Sequence, residues 1–495
     1  MTCGASWRIG RILRSGEIKM VKRPTLRCLG FLALSLVVPA LSPGSSSLAA
    51  ESSAFLPNHR ISDASKRSFW AHTFSSGAHN VAVHRGEVYA AWYDVRNGDS
   101  DVFFVKSADG GATFGPNIRV NDDTGKARQY KPSLALDAAG VIYVLWRDDR
   151  RGHADIFFAR SGDGGKTFTK NVRLNDDTGW AYQGNPSIGV SPEGDVYAAW
   201  SDNRNGQDDI YFTVSRNKGR TFRKNIRLND DAGRSVQSHP AVGGGPGGSV
   251  IVAWEDFRSG SSEIYLSRST DGGATFEPNY SLSSILPHPA SSLSSAIQYP
   301  VPTIQVSPSI AVGPQGHVAL AWAQFKPQSV QLGPPDAARG ETQWWEKVRQ
   351  GDADITLAES TDGGVRFGPP LRVNDDPSGN AQAFPSVAMD GRGTVYLAWE
   401  DFRNGPADIY FTRIPHPASS PASSLSSIIY HPVPNKRVND DAAGARQYHP
   451  SLTVDGEGKS YLLWTDGRGN PFVSPAETGA GVEEEGNDVY FTRGE

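Results

Sequence analysis

Tryptophan returns along this chain at a fixed interval. Trp92, Trp146, Trp200 and Trp254 are each 54 residues apart, and Trp322, Trp399 and Trp464 follow at gaps of 68, 77 and 65. Each closes a Val/Tyr-rich segment, and each except Trp322 is followed by x-Asp-x-Arg, as in Tyr93-Asp94-Val95-Arg96 and Glu400-Asp401-Phe402-Arg403. An Asp-Ile-Tyr-Phe type segment comes next, as at 155–158 and 408–411. A short unit repeated in this way cannot bury its apolar face alone, so neighbouring units must stack. A period of about fifty residues fits one four-stranded blade of a β-propeller.

The unit starting near residue 130 reads as four strands: Pro132 to Asp137, Val141 to Trp146, Asp155 to Arg160 and Phe168 to Leu174. The run Val141-Ile142-Tyr143-Val144-Leu145-Trp146 is apolar on both alternating faces, so it must be covered on both sides. Blades stacked around an axis meet that demand. The 53 Gly and 33 Pro suit many short strands joined by turns. Seven units fit. The last stops at Asp488 to Arg493 without a fourth strand, while His59-Arg60-Ile61-Ser62-Asp63 resembles Arg119-Val120-Asn121-Asp122. The expected fold is therefore all-β: a seven-bladed β-propeller of four-stranded antiparallel blades, with an N-terminal strand closing the last blade. Residues 51–495 form its single domain.

Residues 1–50 have a different pattern. Lys22, Arg23 and Arg27 precede an apolar run from Cys28 to Leu41, and small residues from Ser45 to Ala50 follow. That is the layout of a secretory signal peptide, with Met20 as an alternative start and a secreted or periplasmic destination. Its removal leaves 42 basic against 52 acidic residues and takes away both cysteines, Cys3 and Cys28. An acidic surface repels phosphate backbones, so nucleic acid is excluded as a partner. No remaining apolar run is long enough for membrane insertion, and no thiol chemistry remains. A monomer is expected.

Between the third and fourth strands lies Ser107-Ala108-Asp109-Gly110-Gly111-Ala112-Thr113-Phe114, repeated around Asp163 and Asp271 and, with changes, at 215–222 and around Asp362. Two glycines supply positive φ and the carboxylate accepts turn amides. This resembles the Asp-box of the sialidase-like (BNR repeat) propellers. The resemblance implies that these hairpins lie away from the active face, which is built from the second-to-third and fourth-to-first loops. Those loops carry Arg96, Arg150, Arg204, Arg258, Arg403 and Arg468, together with Asn-Asp-Asp triplets such as 121–123. Such arginines either brace neighbouring loops through Asp–Arg pairs or grip the carboxylate of an acidic sugar. They are taken here as candidate substrate-binding groups.

Chemistry is expected where the repeat is broken. The residue before the first-strand proline is Lys131, Asn185, His239, Phe384 or His449, and the residue after the anchor tryptophan includes Glu255 and Glu400. Glu255, Glu400, Tyr130 and Tyr448 are candidate catalytic groups, with His239 and His449 facing the channel as substrate-binding groups. Unit five inserts Gln343-Trp344-Trp345-Glu346-Lys347, and paired aromatics such as Trp344 and Trp345 can stack on sugar faces. The Pro/Ser stretches beginning at Leu286 and Ile414 read as low-complexity insertions. No metal site is expected, although clustered aspartates leave calcium as an alternative without EF-hand spacing.

The chain departs from the sialidase pattern in having seven units, and its Arg413-Ile414-Pro415 sits late, at a hairpin position. The resemblance implies an exported propeller that recognises and hydrolyses acidic glycans, as an exo-α-sialidase-type hydrolase. The alternatives are a non-catalytic glycan- or protein-binding propeller and a polysaccharide lyase using His239 or His449.

Overall fold

Six of the blades are built outward from the axis in sequence order, and blade three is representative. Its strands are Gln183–Val190, Val196–Asp202, Asp209–Ser215 and Ile226–Arg227, all antiparallel, with Trp200 opposite Tyr211. The computed structural model describes residues 55–62, 71–72, 79–286, 304–326, 347–415, 433–441, 444–468 and 487–494. The signal-peptide segment, Met20, Trp344, Trp345 and most of both Pro/Ser insertions lie outside the described residues. Seven such sheets form a seven-bladed propeller. In blade one the first strand is divided, with Ala71–His72 and Val81–His84 both pairing with Glu87–Asp94.

The N-terminal strand closes the ring as expected. His59 and Arg60 pair with Phe491 and Tyr490, making residues 59–60 the outermost strand of blade seven. The expected strand limits need correction. In blade two the first strand begins at Gln129, the second runs past Trp146 to Asp148, and the fourth pairs only at Val172 and Arg173. The first strand was read short because Pro132 suggested a start. It lies instead inside a bulge between Tyr130 and Ser133, where a missing N–H costs nothing in the ladder.

The two-faced apolar strands do what their pattern demands. Ile142, Val144 and Trp146 pack toward blade one with Tyr89 and Phe104, while Tyr143 and Leu145 pack toward blade three with Trp200. All seven anchor tryptophans are buried. Their indole N–H groups explain the following motif: Trp200 Nε1 donates to Asp202 at 3.0 Å, and Trp464 does the same to Asp466 at 2.8 Å. In blade five Gln324 replaces the acid, accepting from Trp322 at 3.0 Å.

At the other end, Asp109 accepts from Ser107 Oγ at 2.7 Å and from the Thr113 amide at 2.8 Å, and the Gly111 amide donates to Ser107 Oγ. The Thr113 hydroxyl and amide and the Ser107 hydroxyl hold the Asp109 pKa down at about 2. The second glycine is obligatory for space as well as for φ: a Cβ on Gly165 would overlap the Phe104 ring of the preceding blade. Phe168 then stacks edge-on against that same ring at 5.3 Å.

Replacing Asp202 with Ala should leave the Arg204 fork and the Trp200 indole without their shared buried acceptor. Loss of about 3 kcal/mol of unfolding free energy is expected in urea titrations. The aspartates that reach across blades add a pH dependence. Burial pushes Asp176 up, but hydrogen bonds from Arg204 and the Asn225 amide bring it below its ordinary value, and Asp122, Asp230 and Asp440 behave alike. Their contribution is complete above the unfolded value of about 3.9 and is lost as pH falls through the lower folded values. The unfolding midpoint should therefore be flat near neutrality and fall only in acid.

Candidate functional site

The second-to-third and fourth-to-first loops share one end of the propeller, opposite the glycine hairpins. The arginines there tie the two loop sets together. Arg150 Nη1 reaches Asp122 of the preceding loop at 2.6 Å, and Arg204, Arg258, Arg403 and Arg468 reach Asp176, Asp230, Asp375 and Asp440 at 2.7, 2.8, 2.7 and 2.6 Å. Each also forks onto the acid of its own Trp-x-Asp motif and covers an aromatic ring; Arg204 lies 4.1 Å from the Tyr211 centroid. Arg96 pairs with Asp94 and Asn117 and lies over Phe103. Burial opposes the charge on Arg204, yet its partners Asp202 and Asp176 raise its pKa above the ordinary value. Arg150, Arg204, Arg258, Arg403 and Arg468 act as staples between blades, while the Arg96 contacts with Asp94, Asn117 and Phe103 stay within blade one.

Closer to the axis, the bulge in the first strand imposes an unusual backbone. Lys131, Asn185, His239, Ser307, Phe384 and His449 all have positive φ, between 49° and 57°. Such a conformation is strained for a residue with a side chain, and here it recurs at one position in six blades. The residue just before it pairs with the residue after the anchor tryptophan, as Tyr130 with Arg147, Ser238 with Glu255, Ala383 with Glu400 and Tyr448 with Thr465. The two variable positions of the repeat are thus brought together around the channel mouth.

Three groupings result. In blades five to seven, Arg349 Nε contacts Glu400 at 3.0 Å, its Nη2 lies 3.4 Å from His449 Nε2, and its guanidinium covers the Tyr448 ring at 4.6 Å. Glu400 also accepts the His449 amide at 2.9 Å, and Arg446 donates to the Tyr448 hydroxyl at 3.3 Å. Between blades four and five, His239 Nδ1 and Glu255 lie 2.9 Å apart, both fully buried, and Glu255 accepts the Ser307 amide at 2.7 Å. In blades one to three, Arg147 lies over the rings of Tyr130 and Tyr182 and donates to the Tyr182 hydroxyl at 2.8 Å; Lys131 meets Asn185 at 2.7 Å.

The structure therefore gathers Glu400, Tyr448 and His449, and separately His239 and Glu255, with Tyr130 in the third grouping. Sequence reasoning missed Arg349, which follows the unit-five insertion and has no counterpart in other repeats. It also missed His79, whose ring meets the backbone of Ile310 from blade one to blade five. His79 keeps some surface exposure, but the surrounding protein strips most of its hydration. That desolvation lowers its pKa, partly offset by the Ile310 bond. Among the described residues, no three His, Cys, Asp or Glu side chains converge to hold a metal ion.

No family model matches the sequence, and no curated protein matches it. Among solved structures, an ulvan polysaccharide lyase bound to -[GlcA(1-4)Rha3S]- aligns at 12% identity over 86% of this chain and 93% of its own, with a TM-score of 0.51. An α-L-arabinanase of Penicillium chrysogenum aligns at 15% identity over 73% and 92%, TM-score 0.43, and a Hadza microbial sialidase at 17% over 67% and 64%, TM-score 0.41. At these identities the likeness to the lyase is one of fold.

Replacing Glu255 with Gln removes the charge that both His239 and the Ser307 amide face. A loss of about 1–3 kcal/mol is expected, read as a lower urea midpoint, because buried donors lose a charged acceptor.

Proposed function

We propose that the protein binds and cleaves acidic polysaccharide at the channel mouth. The observation that carries this reading is the Arg349–Glu400–Tyr448–His449 grouping. Arg349 is held in place by Glu400, over the Tyr448 ring, where it can meet a sugar carboxylate beside His449, a group able to take a proton.

β-Elimination suits this arrangement better than sialoside hydrolysis. A retaining hydrolase needs carboxyl groups that reach substrate. Here Glu255 and Glu400 are fully buried and already accept from His239, the Ser307 amide, Arg349 and the His449 amide. The ring arginines expected to grip an acidic sugar are likewise engaged between blades. In the lyase reading, Arg349 neutralises a uronate carboxylate and His449, the partly exposed member of the grouping, removes the proton from the adjacent carbon, with the buried Tyr448 ring holding Arg349 in place. The bond to the neighbouring glycosidic oxygen breaks, a carbon–carbon double bond forms, and the departing oxygen takes a proton. The fold likeness to the ulvan lyase supports this direction.

Uronate polymers incubated with the protein should yield an unsaturated product absorbing in the ultraviolet, while a fluorogenic sialoside is left intact. Arg349→Ala or His449→Gln should reduce kcat/KM by about a hundredfold or more in protein that still unfolds cooperatively. Reducing ends released without unsaturation would point to hydrolysis, and binding without turnover would point to a lectin-like module.

A further inference from the structure

The seven repeat tryptophans are buried to within 1%, yet Trp180 is 82% exposed. It stands in the loop entering blade three, where the matching positions in two other loops are Lys126 and Arg234. The indole is not loose. Its ring lies 5.3 Å from that of His153 at an angle of 45°, and Gly152 passes so close that a Cβ there would sit 3.6 Å from it. His153 and Gly152 belong to the second-to-third loop of blade two, so one side of the indole is seated on the neighbouring blade while the other faces solvent. Arg151, next in that loop, has a half-exposed side chain whose ion pair with Asp155 is long, at 3.6 Å.

Two residues beyond Trp180 is Tyr182, which belongs to the Tyr130–Arg147 grouping at the mouth. Aromatic and cationic groups thus run outward from the axis over blades two and three. A fixed, exposed indole offers a flat apolar surface to the C–H face of a sugar ring, and a guanidinium carried on the same loop that seats the indole suits an anionic substituent. We infer that Trp180 and Arg151 form an outer subsite that holds a distal unit of an acidic polysaccharide chain whose reacting unit lies at the mouth. The inference rests on the function proposed above and deepens it: the substrate is engaged as a polymer rather than through a terminal residue.

The test compares the wild type with Trp180→Ala, Trp180→Phe and Arg151→Gln on a uronate polymer and on a short oligosaccharide cut from it. Trp180→Ala should raise KM for the polymer about tenfold, the effect of some 1.4 kcal/mol of lost stacking, with kcat unchanged. Kinetics on the short oligosaccharide should not move, and Trp180→Phe should recover most of the loss. Arg151→Gln should weaken polymer binding mainly at low salt. Thermal midpoints should match the wild type, since neither side chain is buried. Unchanged polymer KM in Trp180→Ala, or equal loss on the short substrate, overturns the subsite while leaving the function standing. A wild type that neither binds nor cleaves any acidic polymer overturns both.

Discussion

One buried carboxylate in each of six blades carries the architecture. The aspartate two residues after six of the seven anchor tryptophans accepts the indole N–H, the amide two residues on and the arginine fork, as Asp202 does for Trp200 and Arg204; Gln324 stands there in blade five. That arginine then reaches the aspartate of the preceding blade, whose carboxylate also holds an asparagine amide; Asp176 binds both Arg204 and the Asn225 amide. A buried acid is tolerable only when fully paired, and here the pairing links core, loop and neighbouring blade in one network.

The network divides the chain into residues that repeat and residues that do not. Repeated groups satisfy one another, which is why the arginines that look like a carboxylate grip are engaged in holding blades together. Positions that differ between blades converge on the mouth because the bulge and the ladder register bring them there. Arg147, Glu255, Glu400 and Tyr448 are neighbours of the axis through the same two register positions in different blades.

This division also sets what the sequence makes legible. The 54-residue spacing, the doubly apolar strands and the closing segment at His59-Arg60 are local or periodic patterns, and the structure reproduces them. The positive-φ bulge was hidden, since Lys131, Ser307 and Phe384 are residue types that ordinarily avoid that conformation and only the surrounding ladder holds them in it. Arg349 was hidden for another reason. It lies after an insertion that breaks the phase, so periodicity could not place it beside Glu400, and only tertiary packing joins the two.

The closing strand joins two segments far apart along the chain. Blade seven takes three strands from Gln447–Val454, Ser460–Asp466 and Asp488–Gly494, and its fourth from His59–Arg60. A nascent chain can stack blades one after another as it emerges, yet it cannot seal the circle until its final segment meets one made more than four hundred residues earlier. Until Asp488–Gly494 is in place, the His59–Arg60 strand lacks its partner and Ser460–Asp466 keeps unsatisfied edge groups. Protection of those edges during synthesis is thus a requirement written into the topology itself.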